Sequence, residues 1–404
     1  MSSTVSAEST LPQAILRPRK AAPFFGRHPW VLDSAVERIA GEANDGDVVD
    51  LVAENGHWIA RGILNRKSRI RVRLYTWNKE EQLDTDFWRR RITAAFQLRR
   101  EIGYDDPNGA ARLVFSESDG LSGLIVDRFA KHYVVQPTSL AIAQRLDLIV
   151  PLLVELGQPE SIVIRAEPGM EKLEGIEVPS TVAWGAATDE LVTIDEHGLR
   201  YSVQISQGQK TGFYLDQREN RRVAASYMRD RRVLDVCCYS GGFGLAASKL
   251  GGAREVLGID TSSTAVALAK ANAELNGITN ANYETGDCFD ALKALSERGE
   301  KFGAIVLDPP KFARGRRGVD AALRAYHKLN QSAVEILEAG GILVTCSCSG
   351  GVMREDFQSM LLGVAMKTRR DIQILEQRGA SPDHPVTVTC SENEYLKCFI
   401  CRVR

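Results

Sequence analysis

The chain has 404 residues, 44% hydrophobic and 25% charged, with a formal net charge of -1. That length predicts two to four domains, and the composition excludes collagen-like, disordered and disulfide-scaffold classes. With no run of about 20 apolar residues and no apolar centre in the Ser-rich first ten, neither a membrane span nor a secretory signal is expected, and a cytoplasmic location is.

The near-zero net charge hides an uneven distribution. Residues 11–100 carry 17 Lys/Arg against 11 Asp/Glu, residues 101–200 carry 7 against 17, and residues 201–404 carry 27 against 23. Binding to nucleic acid follows local fields, so the basic first segment keeps that class open. All eight cysteines follow residue 236, unlike a secreted disulfide framework.

Residues 11–80 read as a small β-rich module. Residues 48–64 form a hairpin around Glu54-Asn55-Gly56. Residues 69–77 alternate Arg69, Arg71 and Arg73 with Ile70, Val72 and Leu74, a strand with one basic and one apolar face. Residues 81–204 read as an α+β region. A helix over 85–104 carries Trp88, Ile92 and Phe96 at helical spacing. Strands follow at 111–118, 121–130 and 133–139, then a helix from Ala141 to Leu156, then strands at 161–167 and 191–206. Residues 205–404 alternate short apolar strands with helical patterns, which predicts a doubly wound, mainly parallel α/β sheet.

In this last region Val233–Val236 leads into Cys237-Cys238-Tyr239-Ser240-Gly241-Gly242-Phe243-Gly244, a strand, a glycine turn and a helix start. The spacing is neither GxGxxG nor a P-loop, so pyrophosphate cradling is disfavoured. Asp235 suits a ligand with a cationic amino-acid part. Asp260 ends the next strand, where a carboxylate accepts from ribose hydroxyls, and Asp287 ends a third, within reach of an adenine amine. Three strand-end elements in this order outweigh the alternative that each aspartate merely caps a helix.

The string Asp308-Pro309-Pro310-Lys311-Phe312 ends a further strand. Its prolines stiffen a rim suited to holding a planar base; followed by an aromatic, the string also resembles the motif of amino-group methyltransferases, and taken alone that resemblance implies methylation of an exocyclic nitrogen. The following strand ends in Cys346-Ser347-Cys348-Ser349-Gly350. A thiolate suits attack on carbon 6 of a pyrimidine, which activates carbon 5; small buried cysteines are the bland alternative. Cys398 and Cys401 lie on a strand pattern that turns them to opposite faces, so no metal site is expected. Arg314, Arg316 and Arg317, just after the Asp-Pro-Pro string, and Arg69, Arg71 and Arg73 are candidate phosphate contacts. Tyr326 and His327 are candidate base-stacking residues.

The C-terminal half resembles class I S-adenosylmethionine-dependent methyltransferases in Asp235, the Gly241 loop, Asp260, Asp287 and the closing strand 395–403. The whole chain resembles the three-domain bacterial 23S rRNA 5-methylcytosine methyltransferases of the large-subunit methyltransferase I type. The matching strings are 27–31, 65–73, 122–128, Gln209-Lys210-Thr211-Gly212-Phe213-Tyr214-Leu215-Asp216-Gln217-Arg218, 308–312, 347–350 and 383–386.

The resemblance implies a PUA-like RNA-binding domain (11–80), an α+β middle domain (81–204) and a methyltransferase domain (205–404). It implies S-adenosylmethionine as cofactor, held by Phe213, Arg218, Asp235, Tyr239, Gly241, Asp260, Asp287 and Asp308. It implies 23S rRNA as partner, no membrane, and a catalytic set of Cys348, Cys346, Asp308 and Lys311. The Ser-Cys-Ser-Gly pattern favours Cys348 over Cys346 as nucleophile. Methylation of a base nitrogen and a non-catalytic RNA-binding role stay as alternatives, and the oligomeric state stays open between monomer and homodimer.

Overall fold

The computed structural model describes residues 11–166, 169–186, 191–205, 212–312 and 318–404. The chain forms two compact units. One holds the described residues up to 107, those from 111 to 186, and 386–391; the other holds 108–110, 191–385 and 392–404. The first two modules expected from the sequence thus share a unit.

The first unit contains two sheets. The six-stranded one runs, edge to edge, Trp30–Leu32, Ile70–Thr76, Trp58–Leu64, Val48–Val52, Gln13–Leu16 and Val36–Ala40. The expected hairpin is its Val48–Val52 and Trp58–Leu64 pair. The five-stranded sheet runs Thr181–Gly185, Ser161–Ile164, His132–Pro137, Leu124–Phe129 and Ala110–Phe115. Its covering helix Thr85–Glu101 starts where the Asp84 side chain accepts from the Phe87 N–H, and it buries Phe87, Trp88, Ile92 and Phe96. The helix expected over 141–156 is two: Leu140–Ala143, capped by Ser139, and Leu146–Gly157.

The strand carrying the expected basic face departs from the sequence reading. Arg69 is exposed and Arg71 half-buried, and Arg71 donates to the Arg66 carbonyl. Arg73 is buried, paired with Glu174 at 2.9 Å and Glu117 at 3.3 Å. A guanidinium so held is spent on packing within this unit, so Arg73 is not part of a phosphate-binding face.

The second unit is built on a seven-stranded sheet. Its strands are β1 (Arg232–Val236), β2 (Glu255–Asp260), β3 (Ala281–Thr285), β4 (Phe302–Leu307), β5 (Leu337–Ser347), β6 (Ile372–Arg378) and β7 (Lys397–Val403), in spatial order β3-β2-β1-β4-β5-β7-β6. The first five are parallel and β7 runs antiparallel between β5 and β6. The helices α1 (Arg218–Ala225), α2 (Gly242–Lys249), α3 (Ser263–Leu275), α4 (Cys288–Glu297), α5 (Val319–Ile336) and α6 (Arg354–Thr368) complete the doubly wound pattern. β1 is the turning point of the strand order, where open α/β sheets bind ligands beyond the strand ends.

Two apolar clusters form on this sheet. One gathers Leu234, Val236, Leu307, Tyr326, Phe357, Phe399 and Cys401; the other gathers Val233, Phe243, Val306, Val344, Cys346 and Cys398. Cys398 and Cys401 therefore belong to different faces, as the strand pattern requires. The hairpin Val192–Glu196 and Leu199–Val203, assigned by sequence to the middle domain, lies in this second unit, where Glu196 forms a bidentate pair with Arg221, 2.7 Å in each bond. No described helix is long and apolar enough to cross a membrane.

Candidate active site

A cavity of about 450 Å³ opens beyond the C-terminal ends of the strands around β1, in the size range of small-ligand sites. The loop leaving β1 shapes one wall. Cys237 and Tyr239 have left-handed backbones (φ 62° and 47°) and Gly241 has φ 83°. Two such non-glycine residues in one loop mark a conformation that its surroundings must impose. The Tyr239 N–H donates to Asp260 Oδ2 at 2.9 Å and the Cys238 N–H to the Ile259 carbonyl at 3.0 Å, tying the loop to the end of β2. Gly241 is required sterically as well: a Cβ there would lie 2.8 Å from the Tyr283 hydroxyl.

Asp235 supports this loop from beneath and is not among the side chains lining the cavity. It is 1% exposed, and its Oδ2 accepts from the Gly244 N–H at 2.8 Å, fixing the start of α2. Its Oδ1 and the neighbouring Tyr283 hydroxyl have no hydrogen-bond partner among the described residues. Burial pushes the Asp235 carboxyl up to about 7, with Asp308 and Asp260 adding to the rise against the Gly244 hydrogen bond. Gly241 likewise shapes the loop without lining the cavity.

Asp260 does line it, and its Oδ1 also accepts from the Ser262 N–H at 2.9 Å. Asp287 lines it too while capping α4, where its Oδ1 accepts from Phe289 and Asp290 at 2.8 and 3.2 Å. The capping role and the wall position coexist in this residue. Ile259, Phe243 and Phe289 contribute apolar surface. Carboxylates for ribose hydroxyls beside apolar side chains for a purine fit S-adenosylmethionine.

Of the other residues assigned to the cofactor, Phe213 and Tyr239 line the cavity and Arg218 does not; the Arg218 guanidinium donates to the Ala110 carbonyl at 3.2 Å. The cavity cation near this string is Arg221, one helical turn later. It stacks on Phe213, 4.6 Å from the ring centre, while its other contacts bind Glu196 and the Tyr214 carbonyl.

The cavity is also lined by Asp308, Pro309, Pro310, Lys311, Phe312 and Cys348, with Gln217 and Tyr395. Gln217 donates to Asp308 Oδ1 at 3.0 Å, and the Tyr395 hydroxyl donates to Asp216 at 2.5 Å. The two thiols separate completely. Cys346 is fully buried within β5, and burial with Cys398 beside it drives its pKa well up. The strand ends at Ser347, and Cys348 lies in the cavity wall. Tyr326 is buried between Phe312 and Phe357, so it is a core ring and not a stacking platform. Arg314, Arg316 and Arg317 lie outside the described residues.

Sequence reasoning missed Gln217, Arg221, Phe289 and Tyr395. It missed Lys397 as well, although a lysine inside the apolar run 396–403 is a signal, because lysine is almost never fully buried unless it is paired.

Residues 14–77 match the PUA-like domain family, and residues 178–392 match the S-adenosylmethionine-dependent methyltransferase family. The chain is 38% identical to the ribosomal RNA large subunit methyltransferase I of Erwinia tasmaniensis, over 96% of this chain and 98% of that one. It is 41% identical to the protein of the same name from Aeromonas hydrophila, over 94% and 96%. Its fold matches a solved structure described as a SAM-dependent methyltransferase from Streptococcus mutans, with a TM-score of 0.83 at 20% identity over 96% of this chain and 99% of that one.

Proposed function

The chain belongs to the ribosomal RNA large subunit methyltransferase I family of S-adenosylmethionine-dependent enzymes, and from that premise we propose that it methylates carbon 5 of a cytosine in 23S rRNA, with Cys348 as nucleophile. S-adenosylmethionine would supply the methyl group, its sulfur–methyl bond breaking to leave the thioether S-adenosylhomocysteine. The Cys348 thiolate forms a bond to carbon 6, and the electrons of the 5,6 double bond become available at carbon 5 for the methyl. The proton on carbon 5 then leaves to a base, the double bond re-forms and the sulfur–carbon bond breaks, returning the thiolate. Asp308 and Lys311 are the titratable side chains that the motif contributes to the same cavity. In this reading Asp308, which accepts from Gln217 at 3.0 Å, also accepts from the exocyclic amine and orients the base. A cytosine must leave its stack to expose carbon 6 to a thiol in a cavity wall.

The observation that carries this reading is the presence of Cys348 in the lining of the same cavity as the Asp308–Phe312 string. Methylation of a nitrogen requires no thiol there. The second reading, nitrogen methylation, rests on that string alone.

The test uses 23S rRNA fragments with 5-fluorocytosine in place of cytosine. Fluorine blocks the final proton removal, so a covalent RNA–protein adduct should accumulate and map to Cys348. Absence of an adduct, with the methyl found on a base nitrogen of unmodified RNA, would overturn the reading in favour of the second.

A further inference from the structure

Lys397 is the one lysine in the buried set of described residues, at 2% exposure. It opens β7 opposite Ser347, the last residue of β5. Its Nζ donates to the Ser349 carbonyl at 2.7 Å and to the Tyr395 carbonyl at 2.8 Å. Those carbonyls belong to the residue after Cys348 and to a residue of the cavity wall. Two of the three ammonium donors are thereby fixed on neutral oxygens. Among the described residues no carboxylate lies within ion-pair distance of Lys397. A buried cation without a carboxylate is costly unless another negative group offsets it.

We propose that Lys397 is a positioning residue for the nucleophile: its buried ammonium, pinned by two backbone carbonyls, stabilises the thiolate form of Cys348. The proposal deepens the carbon-5 reading and rests on it for its catalytic meaning, but the electrostatic coupling is measurable without RNA. Burial pushes Lys397 down to about 8, and the Cys348 side chain is the strongest influence in the opposite direction. The coupling is reciprocal: a thiolate that favours the ammonium is favoured by it to the same extent.

The other charges facing Lys397 are Arg354 and Lys311, which disfavour its ammonium, and Glu394, which favours it and also pairs with Arg354 at 2.6 Å. On the side of the thiol, burial raises the Tyr214 and Tyr326 phenols, with Asp308 and Cys348 adding to the rise, so both stay neutral. Lys397 does not line the cavity, so it acts through Cys348 and not on the base. Its support is present while the ammonium is charged and fades as pH rises through about 8.

The test is the pH profile of iodoacetamide alkylation of the full chain without RNA, from about pH 6 to about pH 9.5, bracketing the ordinary thiol value near 8.5. Fragment mass spectrometry reads Cys348 separately from Cys346, which shares its tryptic peptide. In the unmodified protein the Cys348 midpoint should lie below about 8.5. Lys397→Gln should raise that midpoint and slow alkylation at pH 7 by about three- to tenfold, less than the thiolate fraction alone gives because a less acidic thiolate is intrinsically more nucleophilic. Lys397→Arg should restore most of the shift, and S-adenosylmethionine binding by calorimetry verifies that each variant is folded.

A midpoint at or above about 8.5 in the unmodified protein overturns the proposal even if neither variant folds. An unchanged midpoint in folded Lys397→Gln also overturns it and leaves Lys397 a purely structural tie. A shifted midpoint with no 5-fluorocytosine adduct overturns the carbon-5 reading alone, and an adduct with an unshifted midpoint overturns this one alone.

Discussion

Cys346 stands directly opposite Cys398 in the antiparallel ladder between β5 and β7, and both are fully buried. That pairing fixes the first thiol of the Cys-Ser-Cys string in the core. Two residues on, the ladder has ended, and the backbone turns Cys348 into the cavity wall. Side chains two apart share a face only while a strand continues. The end of β5 at Ser347 therefore separates two chemically identical groups into a packing residue and a candidate nucleophile.

Asp260→Ala is expected to weaken S-adenosylmethionine binding by about 1.5–3 kcal/mol, the range for hydrogen bonds to a charged group. The carboxylate lines the cavity and also holds the Tyr239 and Ser262 N–H groups, so the loss combines a ligand contact with a loosened loop. Asp260→Asn, which keeps an oxygen acceptor, should lose less. Calorimetry showing unchanged affinity in the alanine variant would remove Asp260 from the cofactor site.

Asp235 predicts a pH dependence of stability. Its folded carboxyl is raised to about 7, well above the unfolded value near 3.9. A raised acid contributes stability that is fully present below the unfolded value and is lost as pH rises to the folded one. Asp235→Asn keeps an acceptor for the Gly244 N–H without this penalty. Its stability relative to the unmodified protein should therefore improve between about pH 4 and 7, by at most about 4 kcal/mol at 1.36 kcal/mol per pK unit. Denaturant melts at either end of that window, with no change in the difference, would contradict it.

Arg73 and Arg69 should part company. Arg73→Ala leaves Glu117 and Glu174 buried without their cation and should destabilise the first unit by about 3–5 kcal/mol. Arg69→Ala changes an exposed position and should leave stability within about 0.5 kcal/mol. If this rim binds RNA phosphate, removing Arg69 and Arg71 should flatten the log–log salt dependence by roughly one to two units. An unaltered slope would make the rim ordinary solvated surface.

What the sequence could and could not convey follows from the range of the forces involved. The seven-stranded sheet was legible because strand ends announce themselves locally: Asp235 before the glycine turn, Asp260 and Asp287 at the next two ends. The wall positions of Asp260, Asp308 and Lys311 followed from that order. The arginine alternation at 69–73 misled because period-two patterning reports a face but not what covers it, and Glu117 and Glu174 lie far away in the chain. Asp235 and Gly241 hold the loop that shapes the cavity without lining it, a distinction that strand-end patterning does not carry. Arg218 was singled out because the distinctive string ends there, whereas the helix delivers Arg221, one turn on, to the cavity. Gln217 and Lys397 acquire their roles only through Asp308 and Ser349, partners more than 40 residues away.

The thiols give the sharpest contrast between stability and chemistry. Cys346→Ala removes a sulfur from a filled cluster that includes Val344, Cys398 and Ile400, so it should cost on the order of 1 kcal/mol of stability. The variant should keep most of its methyl transfer, because Cys346 does not reach the cavity. Cys348→Ala sits at the cavity wall, where truncation leaves little unfilled core. It should keep stability and S-adenosylmethionine binding while losing methylation, because without the thiolate carbon 5 has no activated form. Thermal melts, cofactor calorimetry and transfer of labelled methyl to 23S rRNA, run on both variants, separate the two expectations. Full methylation by Cys348→Ala would exclude it as nucleophile, and loss of transfer only in a folded Cys346→Ala protein would assign that role to the buried thiol against its position in the fold.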